Sequence, residues 1–195
     1  PFIFITLVTV IVSLLLSIAS TQLKTLQNFN IEVDKKKNVL KSIGLNVEIM
    51  SSNDIIKEYK SRIREKIVNT NGEPVNNIKL SDLVIDENKA TGQTLYQFKG
   101  NDYLPLFVSN SPEAIIIPIS GKGLWSTLYG YFALETDLNT SKGITFYKHK
   151  ETPGLGGEVE KSWFQDNFIG KKILDDKGNF VSVAVLKGKS NDNIH

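Results

Sequence analysis

The first twenty residues, PFIFITLVTVIVSLLLSIAS, run without a charge and carry only small hydroxyls among the apolar side chains. At 1.5 Å rise per residue, roughly twenty residues cross the hydrocarbon of a bilayer. The pattern predicts a membrane-spanning helix over residues 1–22. A signal peptide is the rival reading, since SIAS offers small residues for cleavage, but the apolar run exceeds the usual signal core and favours a retained anchor. The period then changes. In QNFNIEVDKKKNVLKSIGL, Phe29, Val33, Leu40 and Ile43 recur at helical spacing with Gly44 placed to end the helix. In SSNDIIKEYKSRIREKIV, Ser52 or Asn53 offers a cap, and Ile56, Tyr59, Ile63 and Ile67 share one face. Residues 23–68 therefore read as juxtamembrane amphipathic helices. Their lysine stripes read as solvated faces, with a lipid-headgroup surface as the alternative.

From residue 69 to 81, Asn-Gly, Pro74 and paired asparagines mark a connection. Beyond it, TLYQFKG, LPLFVSN, AIIIPIS, STLYGYFALET, GITFYKHK and FVSVAVLKGK are short runs rich in β-branched and aromatic residues, separated by Gly, Pro, Asn and Asp. They predict a sheet. A helical stretch at VEKSWFQDNFIGKK places Trp163, Phe164 and Phe168 toward the core. The fold class is α+β: one transmembrane helix followed by a mixed sheet-and-helix domain over residues 69–195.

Composition narrows the chemistry. No cysteine means no thiolate metal site, disulfide or cysteine nucleophile. The two histidines, His149 and His195, lie far apart with no ligand cluster around them, so His149 reads as structural or surface. A net charge of +2, spread among nearly as many acids as bases, sets nucleic acid aside. The chain lacks GxGxxG after a strand and any P-loop, and no histidine sits near a serine elbow. Two stretches remain, SGKGLWSTLYGY (residues 120–131) and ETPGLGG (residues 151–157). An aromatic beside a glycine-rich turn can wall a pocket for a flat ligand, with backbone N–H groups free to bond it. Packing of a buried tryptophan is the commoner outcome of the same pattern.

These two stretches, with VDKKKNVLKSIGL, LPLFV and FIGKKI, resemble the C-subunit family of the sodium-translocating NADH:quinone reductase, and the resemblance covers most of the chain. The FMN-bearing G subunit of the related ferredoxin:NAD reductase complex, which shares ETPGLG but not GLWSTLYG, is the alternative assignment within the flavin reading. The resemblance implies an electron-carrying, FMN-binding subunit that has no turnover alone. It implies FMN held covalently by a threonine in an SGAT-like motif. No such motif occurs here, which implies that the acceptor lies beyond His195 and that the domain is cut short at its C-terminus. Implied partners are the other subunits of the complex, the membrane and a flavin-attaching enzyme.

The resemblance also implies the bacterial inner membrane with the main domain on the periplasmic side. The lysines at 24, 35, 36, 37 and 41 argue the other way, although a large domain can override such a bias. Carried over residue by residue, Leu124, Trp125 and Ser126 match one wall of the flavin site, and Glu151, Thr152, Pro153, Gly154, Leu155 and Gly156 match the other. Gly154 and Gly156 are expected to bring backbone to the ring edge, and Trp125 and Leu155 to face the ring. The loop's charges are expected to be peripheral. Lys150, where the family commonly has glycine, has no assigned role. A membrane-tethered binding module without cofactor is the alternative from another class.

Overall fold

The computed structural model describes residues 1–181, which fall into two compact units, Pro1–Lys35 and the chain from Lys36 onward. The first unit is helical, the greater part of α1 (Phe2–Ser42). Its apolar side chains from Phe2 to Ile18 are exposed on every side, as a helix bathed in lipid requires. Threonine hydroxyls within it bond back along the helix: Thr6 Oγ1 donates to the Phe2 carbonyl at 3.0 Å, Thr9 Oγ1 to that of Thr6 at 2.9 Å and Thr21 Oγ1 to that of Ser17 at 2.8 Å. By length and composition this helix can cross a membrane. The expected anchor and first amphipathic helix are thus one element, because no glycine or proline interrupts the pattern before Gly44.

Within the second unit, Gly44 stops α1. It takes φ +84°, and the Leu45 N–H reaches back to the Leu40 carbonyl at 3.3 Å, a Schellman closure. Val39, Leu40 and Ile43 from the end of α1 are buried, as are Ile55 and Tyr59 of α2 (Ser52–Arg62). Ser51, one residue before the expected caps, closes α2 by accepting the Asp54 N–H at 3.3 Å.

Among the described residues, seven antiparallel strands follow: β1 (Ile63–Asn69), β2 (Val84–Asn88), β3 (Gln93–Phe98), β4 (Asn101–Asn110), β5 (Glu113–Lys122), β6 (Thr127–Leu134) and β7 (Ser141–Lys148). The sheet order is β2-β3-β4-β5-β6-β7, with β1 added on β4. Phe107, Ile116, Tyr131 and Ala133 line its buried face, and Thr145 Oγ1 donates to the Asn38 carbonyl of α1 at 3.1 Å. Backbone meets backbone there, since a Cβ on Gly143 would lie 2.4 Å from the Ser42 carbonyl oxygen. A smaller cluster of Ile67, Ile78 and Leu83 seals the connection after β1.

Two expectations need correction, and one strand was not expected at all. Residues 63–68 are strand, not helix. Ile63 and Ile67 are four apart, which puts them on one face in either structure, and the seven-residue pairing with β4 decides for the strand. The strand β2 carries no clear signal in the sequence, because Val84 and Ile85 are both exposed, at 65% and 61%. Trp163 does not face the core. In α3 (Ser162–Gln165) it is Gln165 that is buried, while Phe164 and Phe168 are half-buried. Most of the run FVSVAVLKGK lies outside the described residues.

Candidate functional site

The two stretches singled out in the sequence lie at one end of neighbouring strands. Residues 123–126 form the hairpin between β5 and β6, which pair from Lys122↔Thr127 onward, with the Gly123 N–H on the Ser126 carbonyl at 2.8 Å. The loop 149–157 leaves the end of β7, whose Lys148 pairs with Tyr129 of β6. The strand register alone therefore brings the two loops together.

Glu151 ties them. Its Oε1 accepts the main-chain N–H groups of Trp125 and Ser126, each at 3.0 Å, across about two dozen residues of sequence. The carboxylate is buried. Burial raises its pKa, but the N–H groups of Trp125, Ser126 and Leu124 outweigh this and hold the carboxyl below its ordinary value. In the other direction, the Lys150 N–H donates to Ser126 Oγ at 2.6 Å. The seat for the carboxylate is made by two glycines: a Cβ on Gly123 would lie 2.5 Å from Oε1, and one on Gly156 would lie 3.1 Å from Oε2. The expectation that the loop's charges are peripheral is overturned at Glu151, which is the joint of the site.

The base of the hairpin is fixed separately. Glu87 on β2 accepts hydrogen bonds from Thr127 Oγ1 and from the Tyr129 hydroxyl, the latter at 2.6 Å. These two donors hold the Glu87 carboxyl below its usual range, and the Glu87 carboxylate in turn pushes the Tyr129 phenol up. The Lys148 ammonium lies over the Tyr129 ring, 4.8 Å from its centroid.

With the backbone held from beneath, the apolar side chains stand outward. Leu124 is 83% exposed, Trp125 70% and Leu155 74%. Large apolar groups on an immobilised loop signal a surface awaiting cover. Thr152, Pro153, Gly154 and Gly156 are also exposed, while the Thr152 carbonyl closes the turn by accepting from Leu155 and Gly157. The seat is a platform; a cleft of about 270 Å³ lies elsewhere, lined by residues of the turn after α1, of β7 and of α3. Sequence reasoning missed Gly123 and His149 as parts of the assembly. The signal for Gly123 was its place before Leu124-Trp125, but its purpose appears only once Glu151 is folded against it.

Gly154 has φ +75° and open space around it, so its constraint is conformational. Gly154→Val should place roughly 1–2 kcal/mol of strain in the loop. Flavin retention is expected to fall in a domain that still folds, with its melting temperature lowered by only a few degrees at about 2–4 °C per kcal/mol. Unchanged retention would remove Gly154 from the site.

The FMN-binding domain family matches residues 123–193, starting at the hairpin glycine. The chain is similar to the C subunit of the Na(+)-translocating NADH-quinone reductase of Haemophilus ducreyi, 32% identical over 98% of this chain and 78% of the relative. It is similar to that of Pseudomonas aeruginosa at 32%, over 87% and 70%. A crystal structure of the Parabacteroides distasonis C subunit superposes with TM-score 0.70 at 36% identity, covering 88% of this chain and 81% of that one. Shewanella oneidensis NqrC gives TM-score 0.63 at 27% identity, over 80% and 77%.

Proposed function

The chain belongs to the NqrC family, the C subunits of the Na+-translocating NADH-quinone reductases, and from that membership we propose that its two tied loops are the flavin seat of an electron-carrying subunit. FMN is its cofactor, and the other subunits of the reductase are its partners. Its enzymatic role is that of one subunit in a complex that couples NADH oxidation to sodium transport. The flavin supplies the electron transfer, and the protein contributes position and electrostatics.

The observation that carries the site assignment is the Glu151 bridge. It fixes the main chain at Trp125 and Ser126 while leaving Leu124, Trp125 and Leu155 facing solvent. That combination fits a planar, largely apolar ring system: Trp125 and Leu155 cover its face, and the bare backbone at Gly154 comes close to its edge. Thr152, Pro153 and Gly156 complete that wall. None of these side chains needs to give or take a proton. In this reading residues 1–22 are a single span of the bacterial inner membrane and the main domain lies on the periplasmic side. In the same reading the flavin phosphate is esterified to a threonine, as the family resemblance implies.

The test uses the full-length protein made with its membrane partners and a flavin-attaching enzyme. The denatured band should fluoresce under ultraviolet light and carry the mass of one FMN less water. No flavin, despite an active attaching enzyme, would replace this reading with that of a tethered binding module.

A further inference from the structure

We propose that His149 is the positioning residue of the flavin loop: its ring nitrogen Nδ1 holds the Glu151 main chain so that the Glu151 carboxylate meets the hairpin. The inference rests on the proposed function for its redox consequence, though not for its geometry. His149 is the first residue after β7, and its side chain is only 11% exposed. The Glu151 N–H donates to Nδ1 at 3.2 Å. This is the pattern by which an Asn side chain closes a turn on the backbone two residues ahead. Two residues separate the strand end from the carboxylate, and the bond to Nδ1 removes the rotational freedom between them.

The rest of the ring borders the turn. A Cβ on Gly157 would lie 3.5 Å from His149 Cε1 and 3.2 Å from the Thr152 carbonyl, so the turn passes close to the edge of the imidazole at Gly157. Nδ1 accepts, so a neutral ring carries its proton on Nε2. Nε2 is buried and forms no hydrogen bond, 3.4 Å from Oε2 of Glu160 in the 3-10 turn Gly156–Glu160. The other Glu160 oxygen lies 3.7 Å from Lys161. The bond at Nδ1 ties the ring to the loop main chain, while Nε2 faces the Glu160 carboxylate. A chain of support runs from His149 through Glu151 to the main chain of Trp125 and Ser126.

The experiment compares His149→Phe, which keeps a flat ring without the acceptor, with His149→Asn, which restores an acceptor at the equivalent place. In the full-length chain without flavin, His149→Phe should speed amide exchange at Glu151, Trp125 and Ser126 by about tenfold, the equivalent of one net hydrogen bond. His149→Asn should return the rates to wild type. In the flavin-loaded complex, the midpoint potential should shift in the Phe variant and recover in the Asn variant. Wild-type exchange in His149→Phe, or Asn failing as Phe does in a folded protein, would overturn the proposal. Should the Phe variant not fold, nitrogen-15 spectra of the wild-type imidazole decide: the Nε2–H tautomer supports it and the Nδ1–H tautomer overturns it. A wild type that takes up no flavin would overturn the proposed function, and the exchange rates would still decide the role of His149.

Discussion

Glu151→Ala should weaken the binding of free FMN more than any other single change at the site, by at least about tenfold, because it strips both hairpin N–H groups of their acceptor at once. The measurement is flavin fluorescence on the full-length chain made without the attaching enzyme. Glu151→Gln keeps an oxygen but loses the charge, and since charge-assisted bonds are roughly twice as strong as neutral ones, it should fall between. Acid should do reversibly what Gln does permanently. The carboxyl is held below its ordinary 4.5, so its contribution is complete above that pH and is lost as pH falls through the lower folded value. Emission from Trp125 should therefore hold until below pH 4.5 and then shift, and the shift should vanish in Glu151→Gln. A transition that persists unchanged in that variant would show that another group drives it.

A large effect on the fold is expected at Gly143, where α1 meets the sheet, as at Gly130, whose added β-carbon would crowd the Thr145 carbonyl oxygen. A β-carbon on Gly143 would sit 2.4 Å from the Ser42 carbonyl oxygen, and backbone cannot swing aside as a side chain can. Overpacking of this kind costs about 1–3 kcal/mol for a single methyl group. At about 2–4 °C per kcal/mol for a protein of this size, Gly143→Ala should lower the melting temperature by several degrees, and Gly143→Val by more. Gly121→Ala is the control, with nothing within 4 Å of its added carbon, and should stay within about 0.5 kcal/mol of wild type. Equal melting temperatures for the two alanine variants would mean that the end of α1 yields to the sheet.

The strands were legible where β-branched residues alternate between turn residues, which places β3 through β7 close to their observed bounds. They were illegible where two periods coincide, as at Ile63 and Ile67, and where apolar content is thin, as in β2. Trp163 shows the opposite failure: an aromatic at helical spacing looks like core, yet four residues of α3 are too short to bury a face. The site's two loops could be found by their composition and their family resemblance. Their joint could not, because the groups that Glu151 binds are main-chain N–H groups, which every residue except proline carries and no motif records. His149 stood out only as an isolated histidine, and its purpose depends on which ring nitrogen meets the chain.

Because Glu151 grips the peptide backbone at position 125 and leaves the indole untouched, the shape of the platform and the chemistry of its upper surface are written by different atoms. Drift in the exposed side chain can alter what rests on the platform without dismantling it. Such a division lets a lineage retune its cofactor's surroundings in small viable steps, keeping one architectural joint constant.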